Sequence, residues 1–288
     1  MKCRLCPRLC GAERDTAPGF CGSPESVMIA RAARHDWEEP CISGTNGSGA
    51  VFFTGCTLKC IYCQNRDISR GRAGKEVSPR ELADILKRLE QEGVHNINFV
   101  TGTHFIPGIL RALELYRPSI PLLWNTSGYE RVETLKALDG VIDIYLPDLK
   151  HISPRLSSLC ASAPDYGAVA VNAIHEMVRQ TGLPVYDENG IMLRGTQIRH
   201  LILPGCTGDS IRVLDTIQEE FPGIPVSLMR QYTPPEGTEL PPPLNRRVND
   251  REYARVLEHY EQLGLSGCIQ DKEAAKSSYT PAFDLTGV

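Results

Sequence analysis

Three closely spaced cysteines, Cys56, Cys60 and Cys63, are the residues of this chain best suited to chemistry. They form a C-x3-C-x2-C run within Gly55-Cys56-Thr57-Leu58-Lys59-Cys60-Ile61-Tyr62-Cys63-Gln64-Asn65. No fourth cysteine stands at a matching distance. That count matters, because a closed structural site takes four ligands and a reactive one keeps a position open. A [4Fe-4S] cubane held by three thiolates leaves one iron for an exchangeable ligand. The competing reading is a zinc knuckle completed by a distant ligand, but zinc favours four ligands and these three have no local partner.

A second set lies upstream. Cys3, Cys6, Cys10 and Cys21 form C-x2-C-x3-C-x10-C, with Pro7 and Gly19 shaping turns. Four thiolates in so short a stretch can close a tetrahedral zinc site, hold a second [4Fe-4S] cluster or remain free thiols. Ligand count alone does not separate the metals. Cys41 is available as a substitute ligand. Cys160, Cys206 and Cys268 read as ordinary buried thiols, and Cys206 is also a candidate catalytic thiol because it follows Pro204-Gly205 near a strand end.

The chain has 11 cysteines in 288 residues, an odd number gathered toward the N-terminus. A disulfide framework would spread bridges through an exported chain, so metal binding in a cytoplasmic protein is the expectation. The N-terminal residues include no apolar run suited to a signal peptide, and no stretch suits a bilayer span. The formal net charge of -4 gives no basic field for nucleic acid or an anionic membrane. Neither is expected as a partner.

The elements that must position these thiols follow from periodicity. Apolar runs bounded by turn residues fall at 50–54, 97–101, 121–126, 142–146, 198–203 and 225–230. Helical periodicity occupies 79–92, 106–116, 131–138, 166–181 and 210–221, with a last helix at 251–263. Ser78-Pro79 with Glu81 predicts a helix start, and Asp209 or Ser210 is placed to cap a later one. Strands alternating with helices predict right-handed βαβ units and a parallel sheet. Six such units suit a partial (β/α)6 TIM barrel better than a closed eightfold one, with a doubly wound sheet as the alternative. The domain reading is a Cys-rich metal-binding lobe at 1–49, the partial barrel at 50–265 and a tail at 266–288. The proline-rich stretch 232–249 reads as an extended loop. On this plan the three cysteines follow the first strand, at the end where parallel α/β folds gather their chemistry.

The C-x3-C-x-aromatic-C run, with Tyr62 at the aromatic position, resembles the radical S-adenosylmethionine (SAM) superfamily. Glu38-Glu39-Pro40, Ser43-Gly44, Gly47-Ser48-Gly49, Phe52-Phe53, Cys63-Gln64-Asn65, Asp148-Leu149-Lys150 and Leu203-Pro204-Gly205 extend the likeness. Together they resemble the uncharacterised subfamily of pyruvate formate-lyase activating enzyme-like proteins. The resemblance implies a [4Fe-4S] cluster at Cys56, Cys60 and Cys63 whose open iron binds SAM. It implies reductive cleavage to a 5′-deoxyadenosyl radical that abstracts hydrogen, with an electron donor such as flavodoxin or ferredoxin.

It also implies cofactor-binding positions. A Gly-Gly-Glu segment that binds the SAM amino group in such enzymes corresponds to Thr101-Gly102-Thr103-His104, which places Gly102, Thr103 and His104 near SAM. His104 stands where the acid would be, as a base, a hydrogen-bond donor or a plain loop residue. Asn125-Thr126 and Asp148-Leu149-Lys150 correspond to SAM contacts and a monovalent cation site, with Asp148 and Thr126 as hard oxygen ligands and Asn125 where an acid is usual. A salt-bridged Asp148/Lys150 pair is the plainer reading. Arg212 either approaches the adenosine or lies on a solvated helix face. The substrate is then a glycyl radical enzyme or, alternatively, a peptide, RNA or small metabolite. At the place of the Asp-Gly-Pro-Gly common in glycyl-radical activases stands Asn46-Gly47-Ser48-Gly49. A different class of reading is a non-catalytic iron–sulfur or zinc electron-transfer protein.

Overall fold

The structure, a computed structural model, describes residues 2–71, 73–270 and 281–288. Its strands are β1 (Val27–His35), β2 (Ser48–Phe53), β3 (Lys75–Val77), β4 (Ile97–Val100), β5 (Leu122–Thr126), β6 (Ile144–Pro147), β7 (Val185–Tyr186), β8 (Met192–Thr196), β9 (Ile198–Leu201) and β10 (Val226–Met229). Single helical turns α1 (Pro40–Ser43), α2 (Arg66–Ser69) and α5 (Val132–Leu135) interleave with longer helices. These are α3 (Pro79–Gln91), α4 (Ile106–Leu115), α6 (Pro154–Ala161), α7 (Tyr166–Thr181), α8 (Thr207–Glu220) and α9 (Asp250–Gln262).

The main sheet runs β3-β1-β2-β4-β5-β6-β8-β7, and β9 pairs with β10. The pairs β2–β4, β4–β5, β5–β6 and β9–β10 are all parallel. A parallel bridge between Asp148 and Arg199 carries the order from β6 to β9. The six parallel strands therefore follow in chain order, β2-β4-β5-β6-β9-β10, as the alternation of apolar runs and helices requires.

Differences from the sequence expectation have local causes. Val27–His35, read within the Cys-rich lobe, is a strand of the main sheet, antiparallel to β2 with His35 opposite Ser48. Its charged residues Arg31 and Arg34 break the apolar run, because β1 lies toward the antiparallel edge of the sheet. β8 continues through Gln197 into β9, and its pairing with β6 was hidden by the polar Arg194 and Gly195. Ser78 and Glu81 form the expected reciprocal cap of α3. The later helix begins at Thr207, with Cys206 in the cap position. Asp209 instead accepts from the Ile152 and Ser153 amides, at 3.2 and 2.9 Å, just ahead of α6.

Side chains alternate across the parallel strands. Val51, Phe53, Ile97, Phe99, Leu122, Trp124 and Tyr145 face outward and bury Leu82, Leu86 and Leu89 of α3 with Ile109 of α4. Each large apolar side chain buried there contributes roughly 1.5–3 kcal/mol. The other face presents Phe52, Val100 and Asn125 to an internal cavity, and it continues through Asp148 and Arg199. The polar residues of that inner face build the site.

Candidate functional site

The loop after β2 is held in a shape that aims its thiols inward. Gly55 has φ +86°, and a Cβ there would fall against the Ser23 hydroxyl and within 2.8 Å of the Cys21 carbonyl. Lys59 adopts φ +53°, a left-handed residue that turns the chain between Cys56 and Cys60. The Cys63 amide donates to the Cys60 carbonyl at 3.2 Å. Cys56, Cys60 and Cys63 all line one cavity, with Leu58 and Tyr62 beside them. Burial raises the Cys60 thiol, and Cys56 and Cys63 raise it further while Lys150 opposes them. Burial likewise raises Cys63.

Burial thus favours the neutral thiol at Cys60 and Cys63, which a bound metal would convert to the thiolate. Among the described residues no three His, Cys, Asp or Glu side chains converge on a single-ion position. A cubane asks for something different, since each thiolate takes its own iron. Three thiols on one cavity wall fit that group.

Tyr62 does not reach into the cavity with its hydroxyl. The hydroxyl hydrogen-bonds His151 Nε2 at 2.9 Å, and its ring meets Tyr232 edge-on. Burial pushes His151 down to about 3, so a neutral imidazole shares this hydrogen bond with the phenol, and its tautomer sets which of the two donates. Tyr62 acts as a packed strut that fixes the loop between Cys60 and Cys63.

Opposite the thiols lies a polar cluster. Lys150 Nζ donates to Asp148 at 2.5 Å, and Arg199 Nε donates to its other oxygen at 2.9 Å. Arg199 also donates to Asn125 Oδ1 at 2.6 Å and pairs with Glu38 at 3.4 Å. Asn98 and Asn125 both donate to the remaining Glu38 oxygen, at 3.0 and 3.2 Å. Burial favours the neutral acid at Asp148, but Arg199 and Lys150 overcome it and hold the carboxyl below its usual range. At Glu38 burial prevails and raises the carboxyl, although Arg199 opposes it.

The expected residues separate into two groups. Tyr62, Asn125, Thr126, Asp148 and Lys150 line the cavity with the three cysteines. Gly102, Thr103 and His104 are not among its lining residues, and from their segment Thr101 alone takes part, with φ +60°. The reason is packing. A Cβ on Gly102 would come within 2.8 Å of the Trp124 ring, and Thr103 donates to Glu130 at 2.6 Å. His104 is 2% exposed, with Nε2 on the Thr54 carbonyl at 2.8 Å, while Arg14 binds its own carbonyl at 2.5 Å. Thr126 also donates to Glu130. Thr126 is therefore engaged where the cation reading wanted a free ligand, and both Asp148 oxygens are engaged by cationic side chains. Arg212 is largely exposed and pairs with Asp209, the solvated-face reading.

Sequence reasoning missed Glu38 as a site residue, and also Arg199, Trp37, Met229, Gln231 and Glu130. Arg199 carried a readable signal: a charge inside an apolar strand has to find a buried partner.

The four upstream cysteines gather beside the loop rather than in the cavity. Cys6 and Cys21 are buried, while Cys10 is exposed. Burial pushes Cys6 up to about 12, with Cys21 and Cys3 adding to it. Burial raises the Cys10 thiol, but amides including those of Ala12 and Phe20 together outweigh it and hold the thiol below its usual value. Arg8 ties this segment to the loop by donating to the Thr57 carbonyl at 2.9 Å. Cys160 lies in the core. Cys41 bonds Gln197 at 3.2 Å, and Gln197 reaches Cys268 at 3.7 Å, so these three form a separate cluster.

The profile of the radical SAM superfamily matches residues 50–217. The chain is 30% identical over 276 residues to an uncharacterized protein of Methanocaldococcus jannaschii, covering 91% of this chain and 75% of that one. It is 25% identical over 243 residues to the pyruvate formate-lyase-activating enzyme of Clostridium pasteurianum, covering 81% and 87%. Among solved structures, native anSMEcpe with bound AdoMet aligns with a TM-score of 0.53 at 13% identity, covering 75% of this chain and 61% of that one. A radical SAM methyltransferase from Sphaerobacter thermophilus aligns at 0.51 and 12% identity, covering 77% and 65%. The chain thus spans less than two thirds of both of these longer chains, and the likeness to them is one of fold.

Proposed function

The chain belongs to the radical SAM superfamily, and on that premise we propose that it holds a [4Fe-4S] cluster on Cys56, Cys60 and Cys63 and uses SAM to take hydrogen from a substrate. The observation that carries the reading is the meeting of these three thiols with Asp148, Lys150, Asn125 and Arg199 across one cavity. When bound, the reduced cluster and SAM supply an electron and a 5′-deoxyadenosyl radical.

The chain's own residues hold and shield these groups. The ammonium and carboxylate of SAM would meet the wall of Asp148, Asn125, Lys150 and Arg199, whose groups already bond one another and would divide those bonds with the ligand. Lys150 and Arg199 also take the place that the resemblance gives to a monovalent cation, since both already sit on Asp148. Phe52, Leu58, Val100, Leu201 and Met229 line the same space and exclude water. In this reading the four N-terminal thiols hold a second metal centre, for which an auxiliary cluster suits them better than a single zinc ion, because no three His, Cys, Asp or Glu side chains among the described residues converge on one position. An electron donor of the flavodoxin or ferredoxin type serves the first centre.

The test is anaerobic reconstitution, reduction and addition of SAM. 5′-Deoxyadenosine should form in the wild type and stay at background in Cys60→Ala; equal yields would end the reading. The finer proposal is activation of a glycyl radical enzyme, favoured by the relative from Clostridium pasteurianum, matched over 87% of its length. A glycyl radical EPR signal on a co-incubated partner should then appear only with SAM and reductant. No signal on any candidate partner would leave a peptide, RNA or metabolite as the target.

A further inference from the structure

A second cavity adjoins the first, and the two share Glu38, Arg199 and Met229 as a common wall. Pro40 and Ser43 of α1 line this second chamber, and so do Cys268, Ile269 and Gln270. The segment carrying Cys268 runs beside β10. The Cys268 amide donates to the Val226 carbonyl at 3.1 Å, and the Cys268 carbonyl accepts from the Leu228 amide at 2.8 Å. Gly267 permits this close approach, since it has φ +133° and a Cβ there would lie 2.3 Å from the Val226 carbonyl oxygen. The backbone therefore fixes Cys268 at the chamber wall.

Cys41 is not among the lining residues and packs against Ile42, Leu123 and Met192 instead. Its thiol and that of Cys268 hydrogen-bond each other. The buried Gln197 spans the pair, with Oε1 on Cys41 at 3.2 Å and Nε2 on Cys268 at 3.7 Å. Cys41 has one S–H, which Gln197 Oε1 and the Cys268 sulfur share. The hydrogen bond from Cys41 pulls the Cys268 thiol down to about 7, with Gln197 helping and burial opposing. The same bond, with burial, raises the Cys41 thiol. Disulfide exchange uses such a pair: a thiol that ionises near neutral pH attacks, and a neighbour that keeps its proton resolves. Two thiols and one amide are too few ligands for a metal, and no three His, Cys, Asp or Glu side chains among the described residues converge on one position.

We propose that Cys41 and Cys268 are a reversible disulfide site, in which Cys268 meets a low-molecular-weight disulfide in the second chamber and Cys41 resolves the product. The Cys268 thiolate attacks one sulfur of the disulfide R–S–S–R and expels the other as a thiolate. Cys41 then gives up its proton, attacks the Cys268 sulfur and expels the second thiolate. The protons released by the two cysteines end on the two departing thiolates. Two protein thiols are oxidised to one disulfide, and R–S–S–R is reduced to two R–SH. The two sulfurs, already in hydrogen-bond contact, have to close only to the ~2.05 Å of a disulfide. The bridge would tie the chain just ahead of β2, the strand that delivers the three-cysteine loop, to the segment past β10, the last parallel strand. This site goes beyond the radical reading and does not depend on it.

The test is incubation of the anaerobically reconstituted full chain with excess oxidised glutathione, then blocking of free thiols and tandem mass spectrometry of the digest. A Cys41–Cys268 bridge should be the main new bridge, and dithiothreitol should reverse it. Cys41→Ser should trap glutathione on Cys268. Cys268→Ser should leave Cys41 about tenfold or more less labelled than that, because its thiol keeps the proton. A pair that stays reduced would overturn the inference. So would bridges mainly to other cysteines, or equal labelling of Cys268 and Cys41 in the two variants. If either variant does not fold, the bridge map of the wild type still decides. 5′-Deoxyadenosine formation is measured separately on the untreated chain. Its absence removes the radical reading and leaves this site standing, whereas normal cleavage with no bridge removes this site alone.

Discussion

The Cys56 amide donates a hydrogen bond to the Cys21 carbonyl at 3.2 Å. The last thiol of the N-terminal set and the first thiol of the cavity set are therefore tied through their backbones. Any metal that orders Cys21 also fixes the start of the 55–63 loop. Replacing Cys6 and Cys21 together by alanine should remove metal from the N-terminal set and lower iron bound at the other three cysteines by roughly half or more, because a loop that is no longer preorganised binds its cluster more weakly. Iron and zinc analysis with visible absorption reads both effects. Full iron occupancy in the double variant would show that the two sets are independent.

Arg199 holds the polar wall together. Arg199→Met would leave Asp148 and Glu38 buried without their shared guanidinium. Breaking a buried pair in this way costs about 3–5 kcal/mol. Adding Glu38→Gln should recover part of that loss, because one of the two buried acids that lost the guanidinium is gone. Denaturant unfolding of the single and double variants measures it. A loss below about 1 kcal/mol for Arg199→Met would mean that the wall tolerates unpaired charge.

These two relationships differ in how far the sequence revealed them. The three thiols and the strand that delivers them were legible, because cysteine spacing is local and β2, β4, β5 and β6 are apolar runs between turn residues. Arg199 and Glu38 were not recognised as partners, since 161 residues separate them and their meeting depends on where β9 stands beside β6. His104 was legible as a candidate and misplaced for the same reason. Its direction is set by Arg14, 90 residues upstream, and by the Thr54 carbonyl. β1 escaped notice because its arginines interrupt the apolar period on an edgeward strand.

The burial of His104 gives a pH signature. Burial pushes its imidazole from 6.5 down to about 4, helped by Arg14 and Lys59 and opposed by the Thr54 carbonyl. Above pH 6.5 neither folded nor unfolded chain binds a proton there, and the residue adds no pH dependence. Below that value the unfolded chain takes the proton first, so stability falls by up to about 1.4 kcal/mol per pH unit until the folded chain also titrates. His104→Gln keeps an N–H for Thr54 and does not titrate. Its unfolding free energy should decline less steeply between pH 6 and pH 5, by about that slope. Parallel curves for the two proteins would show that His104 is charged in the fold.

Gly55 offers the sharpest test of how the loop is held. Its φ of +86° disfavours any residue with a Cβ, and that Cβ would meet Ser23 and the Cys21 carbonyl. Gly140 has a similar φ of +72° but nothing within 4 Å of an added Cβ. Gly140→Ala therefore carries the backbone strain alone, roughly 1–2 kcal/mol, and should load iron normally. Gly55→Ala carries the same strain plus a collision with the segment that holds Cys21. It should cost about 2 kcal/mol or more beyond Gly140→Ala and lose iron in proportion, because the collision displaces Cys56 itself. Unfolding free energy and iron content, compared between the two variants, separate strain from collision. Equal losses would mean that the N-terminal segment can move aside, and that contact with Cys21 does not set the position of the first cluster thiol.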